Sequence, residues 1–437
     1  MKDARPVQRR ERVLLLGVGL KNSSKSRRPG AAMINGRESL AELEELANSA
    51  GAEIASTMLQ LRDAIDPATL VGRGKLDEIR NEARIHKTPL IVVDRNLTPV
   101  QLRNMEKVTD CRVIDRTQLI LDIFAAHART REGQLQVELA QLNYLLPRLT
   151  GRGEELSRLG GGIGTRGPGE QKLETDRRRI RDRVRKIKDA IEVVRRQRAT
   201  RRRSREAVPL ATVALVGYTN AGKSTLFNAL TSAGVLTSPQ MFATLDPTIR
   251  GVRLPSRRRV LLSDTVGFLR DLPPDLIAAF RATLEEVQEA ALILHVTDIS
   301  DSRHSEHDAE VLKVLGELDV QDRPRLHVLN KSDRLSESER KLYSTPAPNG
   351  NGNGHPRILV SASTGAGLPE LLQQIDIHMP IDPILHCRFR MPVSEGRALS
   401  LLHAFGRVLH SDLAGGEMLL EAEVPESLLR HLEPFVI

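Results

Sequence analysis

Gly217-Tyr218-Thr219-Asn220-Ala221-Gly222-Lys223-Ser224-Thr225 carries two glycines, a lysine and hydroxyl side chains in the spacing G-x-x-x-x-G-K-S. It follows an apolar run, Thr212 to Val216, that reads as a buried strand. It precedes Leu226-Phe227-Asn228-Ala229-Leu230, which reads as the first turns of a helix. In a strand–loop–helix setting the loop amides converge on the helix N-terminus and attract phosphate oxygens. Lys223 is expected to reach the outer phosphates and Ser224 to ligate Mg²⁺.

A base-reading group is expected at Asn330-Lys331-Ser332-Asp333, directly after the apolar Leu326-His327-Val328-Leu329. A carboxylate at Asp333 can accept from both N1–H and N2–H₂ of guanine. Adenine has an acceptor at N1 and no amino group at C2, so it would leave that carboxylate unpaired. Asn330 is expected to hold neighbouring loops, and the Lys331 stem to cover one face of the base. Ser361-Ala362-Ser363 follows the strand-like Ile358-Leu359-Val360. Its amides are expected beside the guanine O6; taken alone, it also reads as an ordinary helix start.

Asp264-Thr265-Val266-Gly267 ends the run Arg259-Val260-Leu261-Leu262-Ser263. Asp264 is expected to hold Mg²⁺ through water, and the Gly267 amide to sense the γ-phosphate. Between this strand and the phosphate loop lies Phe242-Ala243-Thr244-Leu245-Asp246-Pro247-Thr248. A hydroxyl here should complete the metal shell when triphosphate is bound, Thr244 first and Thr248 as the alternative. Lys223, Thr244 and Gly267 are thus the expected catalytic positions. Phe268 stands where many small GTPases carry a water-orienting glutamine. Its side chain has no donor or acceptor, so it reads as packing, and slow basal turnover with partner stimulation is expected.

Elements must position these groups, and composition bounds what they are. The chain has 437 residues, 40% hydrophobic, 28% charged and 3% aromatic. That is room for two to four domains with ordinary cores. No apolar run is long enough to span a bilayer. Cys111 and Cys387 have no paired spacing and suit a reducing cytoplasm. The 12 histidines form no ligand pattern of helical spacing. Net charge is +9, but the window Asp176 to Arg205 alone carries fifteen Lys/Arg against four Asp/Glu, a net +11. Arginines in such numbers repel one another unless phosphates offset them. With few aromatics to stack on bases, backbone and shape recognition of structured nucleic acid is the expected mode.

Residues 1–130 read as a small α/β domain. Strands are expected at Arg12–Gly19, Ala52–Gln60 and Leu90–Val93, with a helical stripe at Leu40, Leu43, Leu46 and Ala47. Gly72-Arg73-Gly74-Lys75 reads as a turn and helix start. Residues 131–207 read as a basic antiparallel helical hairpin. One seam is Leu135, Leu139, Leu142, Leu146 and Leu149; the other is Leu173, Ile180, Val184, Ile187, Ile191 and Val194. A glycine-rich tip, 151–170, carries Arg152, Arg158 and Arg166 and is expected to order on RNA; a plain linker is the alternative. Residues 208–376 read as the nucleotide domain, mostly parallel with helices on both faces. A disordered insertion is expected at 343–356, within Asn349-Gly350-Asn351-Gly352-Asn353-Gly354 and its flanks. Residues 377–437 read as a small α/β unit with strands at Cys387–Arg390 and Gly416–Val424 and a helix at Ala398–Leu409.

Together these residues resemble the HflX family of ribosome-associated GTPases over nearly the whole length. The most specific phrases are Ile114-Asp115-Arg116-Thr117, Leu121-Asp122-Ile123-Phe124, Leu135 to Leu142, Ser157 to Glu170, and Lys172 to Arg178. The phosphate loop and Phe242 to Thr248 match as well. Gln171 departs from the threonine of many members, and the asparagine–glycine insertion is a second local departure. The resemblance implies a P-loop GTPase that takes GTP and Mg²⁺. It also implies a cytoplasmic protein, monomeric in the free state, that binds the large (50S) ribosomal subunit and its rRNA and splits or rescues stalled or dormant ribosomes. Rivals are a GTPase factor in ribosome assembly and an RNA-binding scaffold that carries nucleotide with little turnover.

Overall fold

A computed structural model describes residues 10–21, 31–149, 168–206, 210–231, 241–242, 247–270, 286–344, 356–379 and 383–437. The N-terminal sheet comprises β1 (Arg12–Leu20), β2 (Glu53–Arg62), β3 (Leu90–Val93) and β4 (Arg112–Asp115) in the order β2-β1-β3-β4, all parallel. Successive β1 side chains serve opposite faces. Val13 and Leu15 join a core with Leu43 and Leu46, whereas Leu14 and Leu16 join one with Leu76 and Ile79. The continuous apolar run is the signature of a strand covered on both sides. The helix Arg73–Ile85 begins inside the Gly72–Lys75 stretch, and Lys75 pairs with Glu78 at 2.6 Å.

The hairpin starts with the helix Arg131–Leu145, whose first turn is capped by the Thr130 hydroxyl accepting from the Gly133 amide. This helix is shorter than its leucine spacing predicts: Leu146–Leu149 is a 3-10 turn. Leu135, Val137 and Ala140 are buried, while Leu139 and Leu142 are only half-buried. The reason is a second neighbour. The helix packs on Arg116–His127 as well as on its hairpin partner, so the buried stripe rotates away from the leucine seam. The partner is a helix of 39 residues, Pro168–Glu206. In it Ile187 is buried and Ile180, Val184, Ile191 and Val194 are half-buried. Pro168, Gly169 and Glu170 belong to this helix rather than to the tip; 151–167 lie outside the described residues, with Arg152, Arg158 and Arg166 among them.

The third unit contains β5 (Thr212–Gly217), β6 (Thr248–Arg253), β7 (Arg259–Asp264), β8 (Leu292–Asp298), β9 (Arg325–Asn330) and β10 (Arg357–Leu359). Their order is β10-β9-β8-β5-β7-β6, parallel throughout except for the antiparallel edge pair β6–β7. Among the described residues its α-helices are Lys223–Thr231, His304–Glu317, Glu337–Ser344 and Leu368–His378. This is a P-loop GTPase fold. Tyr343 and Ser344 finish a helix, so the predicted insertion begins later than 343; residues 345–355 lie outside the described set.

The C-terminal unit pairs β11 (Ile384–Pro392), β12 (Arg407–Ala414) and β13 (Glu417–Pro425) as an antiparallel sheet in the order β11-β13-β12. The predicted helix Ala398–Leu409 is corrected here. It runs Gly396–Phe405, and Arg407 onward is a strand. The chain then turns at Gly415 and Gly416, both with positive φ, to form a hairpin with β13.

One core joins units that the sequence separates. Leu43, Leu46, Ile120 and Phe124 of the N-terminal unit pack in a single cluster with Val216, Tyr218, Phe242 and Phe268 of the GTPase unit.

Candidate functional site

The phosphate loop leaves β5 at Gly217 and enters the helix at Lys223. Gly222 has φ +90°, and a Cβ there would lie 2.3 Å from Asn330 Nδ2. Only glycine fits that turn. The loop is stitched to the chain after β7: the Thr219 amide donates to the Phe268 carbonyl at 2.8 Å and the Phe268 amide to the Gly217 carbonyl at 3.0 Å. Gly267 is thereby pressed against the loop. A Cβ on it would meet Thr219 Cα at 2.9 Å and Lys223 Nζ at 3.1 Å.

Lys223 Nζ donates to the Gly217 and Tyr218 carbonyls at 3.0 and 2.8 Å. Burial pushes its pKa down to about 8, with the Asp264 carboxylate opposing the shift. A buried ammonium held only by carbonyls is poised to exchange them for phosphate oxygens. Asp264 is fully buried at the end of β7 and accepts from Ser224 Oγ at 2.6 Å. Two hard oxygen ligands thus stand together beside the lysine, a set whose chemistry fits Mg²⁺. Thr265 is turned inward, its hydroxyl donating to the Leu215 carbonyl at 2.5 Å, and Val266 is buried.

The residues expected to read the base converge from two strand ends. Asn330 Nδ2 donates to the Ala221 carbonyl at 2.8 Å, and its Oδ1 accepts from the Ala362 amide at 3.1 Å. One side chain therefore ties the phosphate loop to both loops that follow β9 and β10. Asp333 Oδ1 accepts from Ser361 Oγ at 2.6 Å. That hydroxyl is the leading cause that holds the Asp333 carboxyl below the usual range, so it is an ionised acceptor at neutral pH. Ser363 Oγ lies 3.0 Å from Ser361 Oγ. Lys331 sits in the left-handed region at φ 63° and pairs with Asp298 at 2.6 Å, which fixes its stem across the pocket floor. Asn220, also left-handed at φ 61°, turns the loop's exposed shoulder.

Ala243 and Thr244 lie outside the described residues. Thr248 opens the edge strand β6, with its Cα directly opposite that of Asp264. Phe242 is buried at φ 59°, its ring edge-on to Phe124 at 4.5 Å. Phe268 is buried in the same core, as its packing reading predicts.

Sequence reasoning missed what surrounds Tyr218. Its hydroxyl donates to Glu42 Oε1 at 2.5 Å and accepts from the Arg270 amide at 3.0 Å. Burial, then Glu42, push its pKa well up, so it stays a neutral donor. Arg116 pairs with Glu42 at 3.1 Å and Asp94 at 2.8 Å, all three buried. Arg270 reaches back to Ser39 Oγ at 2.7 Å, and Ser39 in turn bonds Asp94. The Asp115-Arg116-Thr117 phrase is therefore structural. Asp115 caps the helix by accepting from the Gln118 amide, Arg116 anchors the domain contact, and Thr117 bonds Asn96. Tyr218→Phe should cost about 1–3 kcal/mol, because it leaves a buried carboxylate short of a donor. Urea unfolding checks the loss, and hydrogen exchange should show faster opening of the helix Ala31–Ser49.

Comparison with known proteins places these parts in order along the chain. Families described as the N-terminal region of a GTP-binding GTPase, its middle region, and a 50S ribosome-binding GTPase match residues 37–125, 127–205 and 212–331. The chain is 44% identical over 400 residues to GTPase HflX of Caldanaerobacter subterraneus, covering 92% of this chain and 90% of that one. It is 46% identical over 363 residues to GTPase HflX of Escherichia coli, covering 83% and 84%. A GTP-binding protein from Sulfolobus solfataricus solved with GDP is similar at a TM-score of 0.43 and 22% identity, over 84% of this chain and 98% of that one.

Proposed function

The chain belongs to the HflX family of GTPases, and on that premise we propose that it docks on the large ribosomal subunit and uses its GTP cycle to split or rescue stalled or dormant ribosomes. The observation that carries the nucleotide half is Asn330, which joins the phosphate loop to the Ser361–Ser363 loop while Ser361 orients Asp333. Three loops from three strands are tied together by these bonds, the kind of fixed geometry that electrostatic catalysis needs. Lys223 and the loop amides hold the phosphates and offset charge as water attacks in line. Ser224 and Asp264, with Thr244, would hold Mg²⁺, which would supply positive charge to offset that of the phosphates. The Gly267 amide, pressed against Lys223, senses the γ-phosphate. Asp333 reads guanine.

The ribosome half is supported by the hairpin. Arg178, Arg181 and Arg185 are exposed on the long helix and Arg177 is half-exposed. Several arginines already have partners: Arg183 pairs with Glu138 of the neighbouring helix at 2.7 Å and Arg185 with Asp182 at 3.0 Å. Exposed pairs of this kind are weak, and phosphates displace them readily. The domains proposed are those of the sequence reading, 1–130, 131–207, 208–376 and 377–437, with the RNA-facing tip shortened to the part of 151–170 that precedes the helix start at Pro168.

Reversing Arg177, Arg178, Arg181 and Arg185 to glutamate should weaken ribosome binding by about 10²-fold or more at 0.1 M salt while sparing GTP binding. Co-sedimentation across a salt series measures it; unchanged binding would remove the electrostatic role. The same preparations test turnover. Phe268 cannot orient water, so single-turnover hydrolysis should be slow alone and faster with ribosomes. A fast rate indifferent to ribosomes would sink the partner-ordered reading. Subunit sedimentation separates splitting from an assembly role.

A further inference from the structure

A second cluster of chemistry lies in the GTPase unit, on the face of the sheet covered by the helix His304–Glu317. In the parallel pair β8–β9, His295 stands directly opposite His327. Their rings stack at 4.7 Å and 15°. Asp308, from the covering helix, comes down between them. Its Oδ1 lies 3.1 Å from His295 Nε2 and its Oδ2 lies 3.3 Å from His327 Nε2. One nitrogen from each ring and one carboxylate oxygen all lie within 4.8 Å of one another. Among the described residues this is the one such grouping of histidine and carboxylate.

Two features distinguish it from a plain hydrogen-bonded cluster. First, His295 is 3% exposed, and its Nε2 is buried with no hydrogen-bond partner, although a carboxylate oxygen is 3.1 Å away. The approach has the distance of a hydrogen bond without its direction. A cation off the line between them could engage both the imidazole nitrogen and the carboxylate oxygen. Second, each nitrogen-to-oxygen approach, 3.1 Å to one carboxylate oxygen and 3.3 Å to the other, is near the length such a cation sets between two of its ligands. At zinc–nitrogen and zinc–oxygen lengths of about 2.0–2.1 Å, two tetrahedral ligands stand about 3.3–3.4 Å apart. The side chains of Asp308 and His327 are 22% and 18% exposed, so solvent can reach the fourth position.

We propose that His295 Nε2, His327 Nε2 and the Asp308 carboxylate form a binding site for a divalent transition metal of the zinc class, with water completing a tetrahedral shell. Thr297, two residues beyond His295 on the same face, bridges Asp308 and His327 at 2.5 and 2.8 Å. It can turn its hydroxyl to the outer carboxylate oxygen once the metal is seated. Arg325 shares the face of β9 with His327, and its positive charge sets a limit on affinity.

The location gives the site a consequence. A metal here would pin the helix His304–Glu317 to β8 and β9. Those strands end at Asp298, which holds Lys331, and at Asn330, which holds the phosphate loop. The neighbour of Asp308 on that helix, His307, stacks on Tyr218 at 3.9 Å. The clamp would therefore stiffen the floor of the nucleotide pocket and the domain contact together.

The test uses the full chain, stripped with chelator, without nucleotide and in excess Mg²⁺ to occupy the Ser224–Asp264 position. Calorimetry with Zn²⁺ should show about one saturable equivalent, and Co²⁺ should give the intense visible absorption of a tetrahedral site. Zn²⁺ should raise the melting temperature of the wild type. His327→Gln and Asp308→Asn should each weaken binding by more than about 100-fold, beyond the usual effect of an outer-shell change. GTP binding by these variants reports that they are folded. No saturable Zn²⁺ uptake by the wild type would overturn the proposal and leave a hydrogen-bonded cluster. Uptake undiminished in both variants would place the metal elsewhere and overturn it equally.

Discussion

Lys223→Ala is expected to lower kcat/KM for GTP by about 10³-fold or more, the upper range for removal of one preorganised donor. The lysine is buried, its two contacts are loop carbonyls, and Gly267 lies against its head group. Alanine deletes the buried ammonium that donates to the Gly217 and Tyr218 carbonyls and that is placed to meet the phosphates. Calorimetry with GTP and single-turnover hydrolysis measure the loss. Near-normal binding would mean that the phosphates are held by the loop amides alone.

The same lysine sets a pH dependence. Its pKa without nucleotide is about 8, below the ordinary value of 10.5. Between those values the unfolded chain holds a proton that the folded chain has released, so nucleotide-free stability rises with pH across this window. Binding runs the other way. Phosphates favour the ammonium, so above about pH 8 binding must take up a proton, and affinity falls by up to about tenfold per unit. Calorimetry at pH 9 in two buffers of different ionisation enthalpy should reveal that uptake. Affinity flat from pH 7 to 9.5 would refute it.

Asp333→Asn is expected to exchange guanine for xanthine. GTP binding should weaken by about 2 kcal/mol or more, roughly 30-fold, since an acceptor for two donors becomes partly a donor. Xanthosine triphosphate should bind the variant better than the wild type, because its C2 carbonyl needs a donor. The Ser361 hydroxyl, already committed to Asp333, keeps the side chain in register for either base. Calorimetry with both triphosphates decides it. Equal affinity of the wild type for ATP and GTP would show that Asp333 does not read the base.

The nucleotide site was legible in the sequence because its parts are local. A phosphate loop needs its glycines, lysine and serine in one short turn between a strand and a helix, and Asn330 to Asp333 need only follow another strand. Apolar runs placed most strands for the same reason. The errors fall where neighbours outvote the local pattern. The leucines from Leu135 to Leu149 promise one seam, yet the helix has two partners and buries Val137 and Ala140 beside Leu135, leaving Leu139 and Leu142 half-buried. The stretch Ala398 to Leu409 reads as continuous helix, but pairing with β13 draws Arg407 onward into a strand.

The sequence by itself determined the GTPase chemistry, the basic hairpin and the family. Only the tertiary structure decided what touches that machinery. The sequence placed Tyr218 only as one residue of the phosphate loop; folding set Glu42, Arg116 and Arg270 around it. His295 and His327 formed no pattern along the chain. They are neighbours because parallel strands are brought side by side by an intervening crossover, and Asp308 rides on the crossover helix itself. Spacing along a chain reveals groups that one turn or one helix face can gather. Register between strands, set by packing over the whole sheet, gathers the others.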